Sequence, residues 1–177
     1  MPKLIKRAAA LSLVAALLAG MLFLRFRRGI YLTLAITFGT TAYHLGMRLL
    51  VGALYQTKMK NRADYTKWWY RPRPWEDRLY RIFRVKSWKG RLPTYDPEAF
   101  SPAHHTWAQI AQAMCQSELV HETSAVLSFV PLVFSRWFGA FPAFVITSVA
   151  GAFVDLLFVT MQRYNRPRVV KIAMRQR

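Results

Sequence analysis

The chain has 177 residues, of which 54% are hydrophobic, and its 26 Lys and Arg against 8 Asp and Glu give a net charge of +18. A soluble nucleic-acid-binding protein of this charge would not also contain several long, nearly uncharged apolar stretches. The composition therefore predicts an integral membrane protein and argues against nucleic acid as a partner. The length allows one compact unit, and the single cysteine, Cys115, excludes an internal disulfide framework.

The apolar residues fall into four segments, at residues 8–24, 29–55, 119–134 and 138–161. These segments predict an all-α membrane protein with about four transmembrane or re-entrant helices in two hairpins. The first segment follows basic residues and so has the charge pattern of a signal peptide. Because Arg25 and a second apolar run come directly after it, a retained anchor is favoured, and whether this segment is cleaved, spanning or interfacial stays open.

Two of these segments contain ionisable residues. His44 and Arg48 are four residues apart in the second segment and share one helix face, and the fourth segment contains Asp155. Ionisable groups at such depth usually face the interior of a bundle. Arg48 could instead extend to the membrane surface.

The chain is predicted to have three regions: an amino-terminal membrane hairpin at 1–55, a basic and aromatic-rich interfacial segment at 56–103, and a helix and membrane hairpin with a basic tail at 104–177. In the central region Trp and Tyr alternate with Lys and Arg, and these aromatic residues favour the zone between lipid headgroups and acyl chains. Leu79, Ile82 and Phe83 lie on one face of an amphipathic helix, which favours an interfacial position. A solvated helix packed on a partner is the alternative.

Basic residues concentrate in the central region and in the tail that begins at Gln162. By the positive-inside rule, both would be cytoplasmic in a multi-pass protein of the cell membrane. The cluster of Arg25, Arg27 and Arg28 would then lie on the opposite side, unless the first apolar segment is re-entrant or interfacial.

Glu118 and His121 are the residues most typical of catalysis. They are three residues apart, so on a helix they face the same way. A carboxylate beside an imidazole fixes its tautomer and stabilises its protonated form, as in a general base that activates a hydroxyl. A structural pair that closes the bundle is the alternative.

Since there is no H-E-x-x-H motif or cysteine cluster, and His104 and His105 point in different directions on a helix, we expect neither a metal nor a tightly bound cofactor.

A basic heptad, residues 162–168, follows the fourth apolar segment. Its three arginines are Arg163, Arg166 and Arg168, and a guanidinium matches the geometry of carboxylate and phosphate groups. With Asn165 they are predicted to bind an anionic lipid or the phosphates of an acyl carrier. The alternative is that these arginines form a stop-transfer flank, which only fixes the orientation of the chain in the membrane. Pro167 is predicted to end the helix.

Three motifs in this order resemble those of the glycosyl-diaponeurosporenoate acyltransferases, which complete the carotenoid staphyloxanthin in staphylococci. The motifs are Trp88-Lys89 with Leu92-Pro93, then Glu118-Leu119-x-His121, then the heptad 162–168. The resemblance covers about residues 68–170. It implies transfer of a fatty acyl group, from an acyl thioester or acyl lipid, to a sugar hydroxyl of a membrane-bound glycolipid. The chain differs from the staphylococcal type in its longer apolar amino-terminal region and in Glu122, where that type has an aromatic residue.

The resemblance and the residue pattern lead to one hypothesis. His121, oriented by Glu118, takes the proton of the acceptor hydroxyl, while the arginines and Asn165 of the heptad hold the donor's phosphates or the developing oxyanion. The resemblance adds Trp88 and Lys89 to the substrate-binding residues. The expected partners are membrane lipids, a glycolipid acceptor and an acyl donor. Two other functions stay open: a non-catalytic lipid-binding assembly protein, and a membrane methyltransferase that acts on a lipid or isoprenoid.

Overall fold

The computed structural model describes residues 2–176, and all regular secondary structure in this range is helical. The α-helices are α1 Pro2–Phe26, α2 Gly29–Met59, α3 Glu76–Ile82, α4 Val85–Trp88, α5 Trp107–Leu127, α6 Ser135–Phe138 and α7 Phe141–Arg175. Short 3-10 helices occur at Trp68–Tyr70, Lys89–Arg91, Glu98–Phe100 and Val130–Phe134. Within residues 2–176 there is no β-strand, which confirms the prediction of an all-α fold.

Two helices are long and apolar enough to cross a membrane: Lys3–Phe26, within α1, and Phe141–Arg175, which is α7. Leucine and alanine, which are strong helix formers, dominate α1, and large apolar side chains such as Leu11 and Leu17 are exposed along it. These helices indicate association with a membrane. A signal sequence near the amino terminus has the same properties as α1. The prediction of four spans in two hairpins is not confirmed.

The third apolar segment, residues 119–134, is not one continuous helix. Its first part belongs to α5, which begins at Trp107 and ends at Leu127, and its last part forms the 3-10 helix Val130–Phe134. Pro131 lies in the first turn of that 3-10 helix, where its missing N–H leaves no hydrogen bond unmade. The helical hairpin predicted here is therefore interrupted after α5.

The prediction that Pro167 ends its helix is wrong, because α7 continues through Pro167 to Arg175. A proline inside a helix removes one backbone hydrogen bond and costs about 3 kcal/mol. The residue before it, Arg166, is buried and forms an ion pair with Glu118, so tertiary contacts hold α7 on the amino-terminal side of the proline.

The chain forms two compact units, and each unit consists of two separate stretches. Unit 1 contains Met1–Gly52 and Thr123–Asp155, and unit 2 contains Ala53–Glu122 and Leu156–Arg177. The boundaries fall within α2, α5 and α7. The unit boundaries differ from those of the three predicted regions, 1–55, 56–103 and 104–177, and the division into these regions stays a prediction.

In unit 1, helices α2 and α7 approach closely at Gly151. A Cβ atom at this position would lie 3.0 Å from Cε1 and Nδ1 of the buried His44 ring and 3.2 Å from Oγ of Ser128. Only glycine allows this approach without a shift of its neighbours. The buried Ser128 and the side-chain-free Gly151 therefore let polar side chains pack inside a largely apolar unit.

Arg48 and Asp155 form an ion pair inside unit 1. Nη2 of Arg48 lies 2.6 Å from Oδ2 of Asp155, and its Nε donates to Oδ1 at 3.2 Å. The same guanidinium donates to the carbonyl oxygens of His44 and Gly151, each at 2.8 Å. Arg48 is therefore paired within the helices, and the buried Asp155 carboxylate has an opposite charge beside it.

We predict that loss of either partner of this ion pair destabilises the protein strongly. Arg48→Met or Asp155→Leu leaves a buried charge uncompensated, and the expected cost is about 3–5 kcal/mol of unfolding free energy. The double variant removes both charges and should recover most of that loss. The measurement is the melting temperature in detergent, with the exposed Lys58→Met on α2 as control. Single variants that melt like the wild type would contradict a stabilising role for the pair.

Unit 2 has a small hydrophobic core of Ala63, Tyr70 and Cys115, against which Met59, Tyr65 and Leu119 pack. Burial raises the pKa of the Cys115 thiol to about 12, so this cysteine is a packing residue. On the surface of the same unit, Trp75, Ile82 and Phe83 at the two ends of α3 are exposed. Their exposure leaves an apolar surface at the predicted interfacial segment, whose position in a membrane stays a prediction.

Candidate active site

A fully buried carboxylate, Glu118, lies at the centre of the polar residues of unit 2. It is on α5, one turn before His121. Its two oxygens accept hydrogen bonds from different arginines of α7: Oε1 from Nη1 of Arg163 at 2.6 Å, and Oε2 from Nη1 of Arg166. The predicted site residues Glu118, Arg163 and Arg166 are therefore brought together, as an internal ion-pair cluster.

Arg163 uses its whole guanidinium group in this cluster. Its Nε and Nη2 donate to Oε1 of Glu76 at 3.0 and 2.5 Å. Its Nη1 and Nη2 also donate to the backbone carbonyls of Trp69 and Arg71, at 3.1 and 3.2 Å. One arginine thus ties α7 to α5, to α3 and to the turn before α3.

Arg166 completes the cluster and is buried. Besides its bond to Glu118, its Nη2 donates to the carbonyl oxygen of Tyr70 at 2.7 Å, and its guanidinium carbon lies 5.1 Å from the centre of the Tyr70 ring. Burial raises the pKa of Tyr70 to about 12, so its ring stays neutral beneath the cation. Binding of a substrate anion by Arg163 and Arg166 stays a prediction, and it would require these internal bonds to be given up.

Sequence reasoning missed Glu76, which is buried and neutralises Arg163. Its Oε2 also accepts a hydrogen bond from the hydroxyl of Tyr80 at 2.9 Å, one turn later on α3. Burial and this bond raise the pKa of Tyr80, which keeps the hydroxyl protonated as a donor. The low number of acidic residues could have indicated Glu76. In a chain with 8 acidic residues against 26 basic ones, each carboxylate is a candidate partner for a buried arginine.

His121 is half-buried, and its ring stacks on Phe158 of α7 with centroids 4.6 Å apart and planes inclined by 9°. The next residue, Glu122, accepts a hydrogen bond from Nε1 of Trp69 at 3.0 Å. Burial, and then the charge of Glu118, raise the pKa of the Glu122 carboxyl. Orientation of His121 by Glu118 stays a prediction, since the two Glu118 oxygens face the arginines described above.

The remaining predicted residues form a second group around Tyr164. Nζ of Lys89 donates to Oδ1 of Asn165 and lies 4.7 Å from the centre of the Tyr164 ring. The guanidinium carbon of Arg168 lies 4.5 Å from the same ring, and its Nη2 bonds the Tyr164 hydroxyl at 3.0 Å. Trp88 bonds a residue of its own segment: its Nε1 donates a hydrogen bond to the carbonyl oxygen of Phe83 at 2.8 Å. The heptad is therefore divided between two groups.

The described side chains give no sign of a metal centre. Among residues 2–176, no group of three or more His, Cys, Asp or Glu side chains could hold a metal ion. The adjacent His104 and His105 lie on the exposed turn before α5.

Residues 66–175 match the model of the glycosyl-4,4'-diaponeurosporenoate acyltransferase family. The match covers more than half of the chain and includes both polar groups described above. The chain belongs to this family. The resemblance noted from the three sequence motifs is thereby confirmed, and the family's name describes an acyltransferase of glycosylated carotenoids. No curated protein and no solved structure matches the chain.

We predict that Arg166→Lys lowers the melting temperature, whereas Arg168→Lys does not. A lysine at 166 keeps the charge but loses the planar fork that donates to Glu118 and Tyr70 together. Loss of a hydrogen bond to a charged group costs about 1.5–3 kcal/mol, which corresponds to roughly 3–12 °C for a protein of this size. Arg168 is exposed, so the same change there is a matched control. Equal melting of both variants would show that Arg166 is not part of a stabilising cluster.

Proposed function

We propose that the protein is a membrane acyltransferase that transfers a fatty acyl group from an acyl thioester or acyl lipid to a hydroxyl of a glycosylated lipid, such as a glycosyl-carotenoid. The observation that carries this proposal is the family match over residues 66–175. Two helices long and apolar enough to cross a membrane support access to an acceptor dissolved in the bilayer. The exposed apolar residues around α3, including Ile82 and Phe83, give a lipid acceptor a surface along which to approach.

In this proposal His121 is the general base. The hydroxyl oxygen of the acceptor attacks the acyl carbonyl carbon, so a C–O ester bond forms as the C–S bond of the thioester breaks. His121 takes the hydroxyl proton and returns it to the leaving thiolate, or, where the donor is an acyl lipid and a C–O ester bond breaks instead, to the leaving alkoxide. Stacking on Phe158 fixes the plane of the imidazole ring, and the nearby Glu118–arginine cluster makes its surroundings rigid.

Direct transfer is preferred to an acyl-enzyme intermediate. Cys115 is the single cysteine, and burial raises the pKa of its thiol to about 12, so its nucleophilic thiolate is scarce at neutral pH. No Ser or Thr lies in a recognisable nucleophile motif. The acceptor hydroxyl is therefore the attacking group in a single transfer step.

The test is acyl transfer by purified protein in lipid nanodiscs, with acyl coenzyme A and glycosyl-4,4'-diaponeurosporenoate as substrates and product mass as the readout. His121→Phe keeps a ring to stack on Phe158 but cannot take a proton, and His121→Gln lacks both properties. We expect both variants to lose activity by about 10²- to 10⁴-fold, because general-base catalysis contributes that much.

His105→Gln, on the exposed turn, is the matched control and should keep full activity. Melting temperatures separate catalysis from packing: His121→Phe should melt close to the wild type. Normal turnover by His121→Phe would remove His121 from the mechanism. Absence of transfer by the wild type, with lipid binding retained, would favour the assembly protein.

We further propose that the central region and the tail lie together on the cytoplasmic side of a multi-pass protein. The bond between Lys89 of the central region and Asn165 of the heptad supports a common side. In a Cys115→Ala background, Gly90→Cys and Arg175→Cys should react with the same impermeant reagent from the same side. Labelling of the two positions from opposite sides would contradict this topology.

A further inference from the structure

A cationic cleft of about 940 Å³ opens in unit 2 beside the second group of heptad residues. Its basic lining residues are Arg81, Arg84, Lys86 and Arg168, and Asp77 is the acidic residue of its wall. Lys89 adjoins the cleft through Tyr164, whose ring lies within 4.7 Å of its Nζ. Five positive charges thus face one negative charge.

These cations differ from the other arginines of the unit because they lack internal counter-ions. Among residues 2–176, no carboxylate forms an ion pair with any of the five, although Arg163 and Arg166 are fully paired with Glu76 and Glu118. Burial, followed by the charge of Arg168, lowers the pKa of Lys89. The neutral Oδ1 of Asn165 and the ring face of Tyr164 hold the Lys89 ammonium in place.

Arg84, which lines the cleft, lies in the turn between α3 and α4. It adopts the left-handed region, with φ 47° and ψ 43°, a conformation that commonly ends a helix. Both the backbone N–H and the hydroxyl of Ser87 donate to the Arg84 carbonyl, at 2.9 and 2.8 Å, and so fix the turn.

We propose that Lys89, Tyr164 and Arg168, with Arg81, Arg84 and Lys86 around them, form the subsite that binds the phosphate groups of the acyl donor. This inference rests on the proposed function. Guanidinium forks match phosphate oxygens, and an anion placed between Lys89 and Arg168 would relieve the repulsion of two cations that share one aromatic ring. The cleft is large enough for more than one phosphate. Arg163 and Arg166, already paired, serve to hold α7 in position.

The phosphates can come from two kinds of donor. A soluble acyl thioester such as acyl coenzyme A carries a diphosphate and a further phosphate, whereas an acyl lipid carries one phosphate in its headgroup. Binding of coenzyme A itself, and retention of phosphatidylglycerol against diacylglycerol, which has no phosphate, distinguish these sources. Either result supports a phosphate subsite and names the donor class.

The decisive variant is Lys89→Gln/Arg168→Gln in the whole chain, with Lys58→Gln/Arg62→Gln as control. The control removes the same charge from exposed positions outside α7 and outside the cleft lining. Loss of two charge-assisted contacts should weaken binding of the phosphate probe by at least about tenfold. The control should change it by less than about twofold, because salt screens exposed charges that lie outside the site.

Arg168→Lys gives a graded test, because it keeps the charge but loses the fork, and it should fall between the wild type and the double variant. If the double variant has a lowered melting temperature, the single variant Arg168→Gln, at an exposed position, is compared with the control instead. Equal loss of probe binding in the cleft variant and in the control would overturn the proposed subsite, since only net charge would then matter.

Activity separates this inference from the proposed function. In the transfer assay, the cleft variant should raise KM for the acyl donor and leave KM for the glycolipid acceptor unchanged. Transfer with an unchanged donor KM would overturn the subsite and leave the acyltransferase proposal intact. Cleft-dependent binding of coenzyme A or phosphatidylglycerol by a protein that transfers no acyl group would support the phosphate site and overturn the proposed reaction.

Discussion

The ion pairs of Glu118 with Arg163 and Arg166 are the interaction on which unit 2 depends. A carboxylate with no exposed surface is stable only if its charge is compensated and its oxygens accept hydrogen bonds. Two arginines of α7 meet that need, and the donors left over reach Glu76 and three consecutive backbone carbonyls, at residues 69–71. The cluster contains two carboxylates and two guanidiniums, so it is neutral, and it joins α3, α5, α7 and the turn before α3.

Helical periodicity explains why one short motif takes part in two different groups. Arg163 and Arg166 are three residues apart on α7 and share a face, while Tyr164 and Arg168 are four apart and share another. The first face meets buried carboxylates, and the second borders the cationic cleft. The continuation of α7 through Pro167 is essential to this division, because a helix ending there would have placed Arg168 outside the register.

The sequence predicted the helical class and the family, but not how the charged residues pair. Composition and apolar segments are enough for an all-α membrane-associated chain, and the spacing of Glu118 and His121 correctly places them on α5. The pairing partners of Glu118 could not be predicted, because they come from α7, more than 40 residues later. The prediction that Pro167 ends its helix failed because it rested on local propensity, which does not include long-range contacts such as the ion pair of the neighbouring Arg166.

Because acidic residues are scarce, only some of the basic side chains can have an opposite charge beside them. With 8 carboxylates for 26 basic side chains, compensation is possible only at selected places, and the nearly fully buried Glu76, Glu118 and Asp155 are all engaged with arginines. The cations of the cleft are left to repel one another, and that repulsion opposes folding. The cleft wall contains one acidic residue, Asp77, which balances only one of the five charges. An anionic ligand bound in the cleft would compensate these positive charges. Binding of a phosphate would therefore also stabilise the folded form of this surface.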